Sequence, residues 1–138
     1  MSLQEIRPTA RFQVFDLVQE AGFDVTDWIE SSNDPRGYKA NPKYCYEWSF
    51  IQPDKLVILN LWHSAMSEED GIILQRGNFR EDAEYNRNVT RKAAWTKRAQ
   101  RLDDALQVAL SNNLPVRVIV NDGQRRKRDD PELRPAKV

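Results

Sequence analysis

Residues 44–62 read YCYEWSFIQPDKLVILNLW, and this stretch predicts the centre of the fold. Between residues 44 and 50 every second side chain is aromatic, which is the period of a strand with one aromatic face. Residues 52–54, QPD, are typical of a turn. Residues 55–62 then predict a second, more buried strand, antiparallel to the first. The stretch therefore indicates a β-hairpin at the core of the domain.

Apolar spacing on either side of this hairpin predicts helices. Short helices are expected at 12–21 and 25–30, and a long one at 89–112. A further strand is expected at 116–120, and a third short strand at 71–74 in the least regular part of the chain. The order predicts an α+β fold: a small mixed or antiparallel sheet packed against one long helix and two short N-terminal helices.

Length and composition limit the class of protein. The chain has 138 residues, of which 40% are hydrophobic, enough for one packed core. We expect a single α+β domain over residues 1–128 and an extended or disordered tail over 129–138. No apolar run reaches the ~18 residues of a membrane span, and the N-terminus lacks the pattern of a secretory signal. These features predict a cytoplasmic protein with no membrane association.

Cysteine and histidine are scarce. Cys45 and His63 are the single examples of each, so an internal disulfide framework and a four-ligand Cys/His zinc site are excluded. A Cys45–His63 nucleophilic dyad is conceivable, but a lone pair of this kind is not specific. No Asp or Glu stands two positions before a Lys, so Pro53-Asp54 opens no PD-(D/E)xK nuclease motif. We expect no catalytic residues, no metal and no cofactor, and a binding module in place of an enzyme.

The balance of charge changes along the chain although the total is zero. Residues 1–85 carry a net charge of −7, residues 86–128 carry +8, and residues 129–138 carry −1. This asymmetry predicts a basic face for a polyanion, with the solvated side of a helix and a loop as the alternative. The candidate phosphate-binding residues are Arg91, Lys92, Lys97, Arg98, Arg101, Arg125, Arg126, Lys127 and Arg128.

The aromatic residues of the hairpin are the candidate walls of a base pocket. These are Tyr44, Tyr46, Trp48 and Trp62. Tyr and Trp carry polar tips that are unfavourable to bury without partners, and each base stacked on a ring contributes ~1–3 kcal/mol. Glu47 or Asn60 could read the edge of a base, although strand alternation puts Glu47 on the opposite face. The alternative is a core packed under the long helix against Trp95.

Several segments together resemble a known family. They are RPTA (7–10), NPKYCYEWSF (41–50), LVILNLW (56–62), EEDG (68–71), W-x-K-R-A (95–99) and LPVRVIVNDGQRR (114–126). Over nearly the whole chain this pattern is similar to the N-terminal region of bacterial HNH endonucleases of the modified-cytosine-dependent restriction type. The resemblance implies a DNA-sensing domain whose nuclease module, an HNH module absent from this sequence, lies later in the full-length protein.

Two hypotheses of function follow. The first is a DNA-binding domain that senses a modified base in double-stranded DNA, with 5-methyl- or 5-hydroxymethylcytosine as candidates, and that targets a restriction endonuclease. The second is a protein-interaction domain in which the acidic and basic halves meet complementary partners or each other. A small-molecule enzyme using Cys45 and His63 is a third class.

Overall fold

A computed structural model describes residues 2–10, 12–34, 37–90, 93–122 and 136–137. One-turn helices occupy Tyr38–Ala40 and His63–Ala65, and a π-helical turn occupies Asn86–Thr90. The longer helices and the strands are, in chain order, α1 (Val14–Ala21), α2 (Thr26–Glu30), β1 (Ser49–Gln52), β2 (Leu56–Trp62), β3 (Met66–Glu69), β4 (Ile72–Gln75), α3 (Phe79–Tyr85), α4 (Ala93–Ser111), β5 (Val116–Asn121) and β6 (Ala136–Lys137).

The main sheet has the strand order β1-β2-β5-β6 and is mixed. β1 runs antiparallel to β2, with Ser49 opposite Leu59. β5 runs parallel to β2, because the connection through α3 and α4 returns the chain to the same end of the sheet. β3 and β4 form a separate antiparallel pair. The expected α+β fold, with a small sheet, one long helix and two short N-terminal helices, is confirmed.

β2 is the strand on which both layers of helix pack. Val57 and Leu59 face α4, where they meet Leu102 and Ala105. Ile58 points to the other face and joins the core built with α1 and α2. Since alternate residues of one strand are buried on opposite faces, both faces of the sheet are covered by helix.

The predicted strand over residues 44–50 is largely wrong. Residues 42–46 form turns, and β1 begins only at Ser49. The carbonyl oxygen of Asn41 accepts from the backbone N–H groups of Tyr44 and Cys45, both at 3.0 Å, which closes a turn in place of a ladder. The alternating rings therefore reflect separate packing sites and not one face of a strand.

The alternative prediction, an aromatic core packed under the long helix, is also wrong for most of these rings. Tyr44 and Phe50 pack with α1 and α2, on the face of the sheet opposite α4. Trp48 alone of the predicted rings packs against the cluster that includes α4.

The chain between the parallel strands β2 and β5 contains elements that the sequence patterns predicted poorly. The predicted strand at 71–74 is the second arm of the β3–β4 hairpin. The helix α3 was not predicted; its N-cap is Asn78, whose side-chain oxygen accepts from the N–H groups of Arg80 and Glu81 at 3.1 Å. The predicted start of the long helix at residue 89 is wrong, because that residue belongs to the π-helical turn Asn86–Thr90; residues 91–92 lie outside the described residues, and α4 is described from Ala93.

The C-terminal residues that are described extend the sheet. Ala136–Lys137 pairs antiparallel with Val120–Asn121. Residues 129–135 and 138 of the predicted tail lie outside the described residues, so the domain boundary at 128 stays a prediction. Among the helices described, none combines the length and apolar character needed to cross a bilayer.

Trp28 on α2 is the largest fully buried side chain, and we expect its removal to cost the most stability. Trp28→Ala should lower the free energy of unfolding by about 3–5 kcal/mol, because the cavity would lie among Phe15, Tyr44 and Phe50. Urea denaturation measures this change. Ile29→Ala, which truncates an exposed neighbour on the same helix, is the control; a loss below about 1 kcal/mol for Trp28→Ala would contradict the packing described.

Candidate nucleic-acid interface

A stack of aromatic rings fixes the segment that leads into β1. The Trp28 ring lies nearly parallel to the Tyr44 ring, with centroids 5.1 Å apart and an interplanar angle of 13°. On the same indole, Phe50 stacks at 5.9 Å. The side-chain amide of Asn41 donates to the Trp28 carbonyl at 2.8 Å and so anchors the start of the segment. Residues 41–44 are therefore held against α2 and not in the sheet.

The charged side chains of Asp27 and Lys43 hold Tyr44 in place on its solvent side. Its hydroxyl donates to Asp27 Oδ2, and Lys43 Nζ donates to the same oxygen at 2.7 Å. The hydrogen bonds from Lys43 and Tyr44 lower the pKa of Asp27. The bond to Asp27 raises the pKa of Lys43. Burial, followed by the Asp27 bond, raises the pKa of Tyr44. The Lys43 ammonium lies 5.3 Å from the centroid of the Tyr44 ring.

An open groove of about 610 Å³ runs between this segment and α4, along the outer side of β1. Its apolar wall includes Phe23, Phe50 and Ile51. Its polar lining includes Lys43, Tyr44, Glu47, Ser49, Arg101 and Asp104. The groove therefore brings together Tyr44, a predicted base-pocket residue, and Arg101, a predicted phosphate-binding residue.

Glu47 and Arg101 bridge the floor of the groove to α4. The Arg101 guanidinium donates to Glu47 Oε1. Glu47 is 15% exposed at its side chain, whereas Arg101 is 57% exposed. The expectation that Glu47 faces away from the aromatic residues is wrong, because residues 42–46 form turns and strand alternation does not apply to them.

Tyr46 is the exposed ring of the predicted set. It is 47% exposed, and the guanidinium carbon of Arg98 lies 5.5 Å from its centroid. This is the distance of a cation–π contact. Tyr44 is instead stacked on Trp28 and approached by Lys43, so it serves as a wall of the groove, and Tyr46 is the ring available for stacking.

The two tryptophans lie apart from the groove. Trp48 is half-buried against the cluster on the α4 face, and its carbonyl accepts from Asn60 N–H at 2.8 Å. Trp62 ends β2. Neither is among the residues that line the groove. Of the four predicted rings, Tyr44 lines the groove and Tyr46 lies against Arg98 of α4, whereas Trp48 packs against the cluster that contains Leu102 of α4.

Some of the predicted phosphate-binding residues of α4 lie beside Tyr46 and Glu47. Arg98 and Arg101 reach Tyr46 and Glu47, and Lys97 is exposed on the same helix. The remaining predicted phosphate-binding residues lie outside the described residues: Arg91, Lys92, Arg125, Arg126, Lys127 and Arg128.

A polar cluster lies at the carboxyl ends of the parallel strands; of its residues, only Asn60 was singled out, as a possible reader of a base edge, and it is hydrogen-bonded to Asn121. Asn121 is buried and donates to Asn60 Oδ1 and, at 3.0 Å, to the Leu61 carbonyl. Beside it, Arg7 Nε donates to Asp122 Oδ2 at 2.6 Å. The only signal for this cluster was a polar residue near the end of each strand, which becomes informative once the strands are known to be parallel.

Cys45 and His63 engage separate backbone carbonyls. The Cys45 thiol lies 3.5 Å from the Ala40 oxygen, and His63 Nε2 lies 2.8 Å from the Leu3 oxygen. Within the part of the chain that the structure describes, no group of three or more His, Cys, Asp or Glu residues is placed to hold a metal ion.

Compared with protein-family models, curated proteins and solved structures, the chain gives no match.

The pKa shift of Asp27 makes stability depend on pH. The folded-state pKa lies below the ordinary value of 3.8, so ionised Asp27 favours the folded state above that pH. This contribution is lost as the pH falls through the lower folded-state pKa. The difference in urea midpoint between the wild type and Asp27→Asn should therefore be constant near neutral pH and shrink in acid.

Tyr44→Phe is the matched control, because it removes one of the two hydrogen bonds to Asp27 and leaves Lys43 in place. It should retain part of the pH-dependent stabilisation. A wild-type-to-Asp27→Asn difference that grows as the pH falls would have the wrong sign for this geometry.

Proposed function

We propose that this chain is a DNA-binding domain that senses a modified base and acts as the targeting module of a modification-dependent restriction endonuclease. The observation that carries the DNA-binding part is the exposed Tyr46 ring beside Arg98, next in sequence to Glu47, which lines the groove together with Arg101. An exposed ring beside a guanidinium and a concave site suits an unstacked base and its phosphate.

The electrostatics of α4 support a polyanionic partner. No acidic residue lies between Glu84 and Asp103, so the first half of α4 presents only basic charge. Arg101 is engaged by Glu47, yet its guanidinium is more than half exposed and retains N–H donors for a phosphate. DNA bound here would release counterions, which makes affinity fall steeply with salt.

The apolar wall of the groove supports discrimination of a modified base. Phe23 and Ile51, both partly exposed, offer carbon surface to a substituent such as the 5-methyl group of cytosine. One methyl group in an apolar site contributes ~1–3 kcal/mol, so preference over the unmodified base would be roughly tenfold to two-hundredfold. The role in restriction rests on the sequence resemblance; an HNH module encoded in the same or the adjacent reading frame would support it.

The alternative function, a protein-interaction domain, has one observation in its favour. The acidic and basic halves of the chain already contact each other through the Glu47–Arg101 ion pair. The same complementarity between two molecules would give an association that weakens with salt and needs no DNA. Light scattering across salt concentrations separates this function from DNA binding.

Tyr46→Ala should weaken binding of single-stranded DNA about 5- to 150-fold, because one base loses a stacking platform. Stability should change by less than about 0.5 kcal/mol, since the ring is exposed. Tyr85→Ala, which removes an exposed ring from α3, is the control. Fluorescence anisotropy measures both affinities, and equal effects of the two substitutions would contradict a stacking role for Tyr46.

Arg98→Ala should weaken binding to all duplexes alike and lower the salt slope by about one, because a phosphate contact carries no sequence information. The wild type should bind a duplex with 5-methylcytosine roughly tenfold or more tightly than the unmodified duplex, and Arg98→Ala should preserve that ratio. Arg76→Ala, which removes an exposed arginine paired with Glu69 on the β3–β4 hairpin, is the control.

Anisotropy titrations of both duplexes at several salt concentrations supply these values. Equal and negligible affinity for the two duplexes, at every salt concentration, would remove the proposed function.

A further inference from the structure

The groove beside β1 contains a carboxylate whose hydrogen bonding is incomplete. Glu47 Oε1 accepts from Arg101. Glu47 Oε2 is buried, and the described part of the chain supplies it with no hydrogen-bond donor. A buried acceptor of this kind is unfavourable unless a ligand or water satisfies it, and the imbalance is greatest for a charged group.

The position of Glu47 makes a ligand donor a reasonable partner. The residue lines the groove, and the terminal torsion of a glutamate turns easily, so either oxygen can be presented to an entering group. Arg101 holds the carboxylate from the α4 side. The groove volume of about 610 Å³ lies in the range of small-molecule sites.

The lining of the groove around Glu47 suits a flat ligand with one polar edge. Phe23 and Phe50 form apolar walls, and Tyr44 is fixed beside them by Asp27 and Lys43. Asp104, a second acidic residue of the lining, adds to the preference for donors over acceptors. A planar heterocycle bearing an amine fits this combination better than one that presents only carbonyl oxygens.

We propose that Glu47 reads the exocyclic amine of an unstacked base, so that the groove accepts cytosine and rejects uracil. This inference rests on the proposed function, since it assumes that a nucleic acid reaches the groove. A carboxylate accepting from the N4 amine of cytosine is an established mode of base recognition. Uracil carries an oxygen at the same position, which would face the carboxylate with like partial charge.

The test uses oligothymidylate strands with one central cytosine or one central uracil. The thymine background offers no exocyclic amine, so the two strands differ in the feature that Glu47 is proposed to read. The wild type should bind the cytosine strand roughly tenfold more tightly. Anisotropy titrations at low salt measure both affinities.

Glu47→Gln sharpens the test, because the glutamine amide offers both a donor and an acceptor. The variant should lose the preference for cytosine or reverse it in favour of uracil. Glu30→Gln, at an exposed position on α2, is the matched control and should keep the wild-type ratio. Circular dichroism confirms that each variant is folded.

The outcomes separate this inference from the proposed function. Salt-dependent binding with equal affinity for both strands would overturn the reading of the amine and leave DNA binding intact. A cytosine preference that survives Glu47→Gln would overturn the role of Glu47. No binding of either strand, nor of the duplexes, would overturn both proposals. The comparison of strands with the wild type remains decisive even if Glu47→Gln fails to fold.

Discussion

The stacking of Trp28 on Tyr44 and Phe50 is the interaction on which the candidate site depends. It buries the indole completely and ties α2 to both the start and the end of residues 44–50. Because Tyr44 is held on this side of the sheet, the chain turns between residues 42 and 46 before β1 begins. Tyr46 and Glu47 then reach Arg98 and Arg101 of α4.

Because helices cover β2 on both faces of the main sheet, the groove lies at the edge of that sheet, beside β1. Helices cover the two faces of the sheet through Ile58 on one side and Val57 and Leu59 on the other. A flat ligand cannot bind over either face without displacing a helix. The outer side of β1 is where the α1–α2 layer and α4 diverge, and the groove occupies that space. The same two-layer burial that stabilises the sheet therefore leaves the concave site at its margin.

The spacing of apolar residues predicted the helices and strands that bury a regular apolar face. The observed bounds of β2, β5, α1 and α4 lie within a few residues of the predicted ones, and the α+β class followed from their order. Residues 44–50 were misread because their rings alternate for unrelated reasons: Tyr44 packs on Trp28, Tyr46 meets Arg98, and Trp48 packs on the other side of the sheet. Helix α3 depends on the Asn78 cap and on packing against α4, which periodicity does not report. The convergence of Tyr46 with Arg98 and of Glu47 with Arg101 is tertiary, so charge and aromatic content could indicate a basic, ring-bearing face but not which rings it would include.

We propose that nucleic acid contacts the face formed by residues 43–48 and the first half of α4. Amide chemical shifts of the isotopically labelled chain, titrated with a short methylated duplex, would locate the contact residue by residue. We expect salt-sensitive shift changes concentrated at residues 43–48 and 97–101. Shift changes confined to the β3–β4 hairpin or to α1, with residues 43–48 unaffected by saturating DNA, would contradict it.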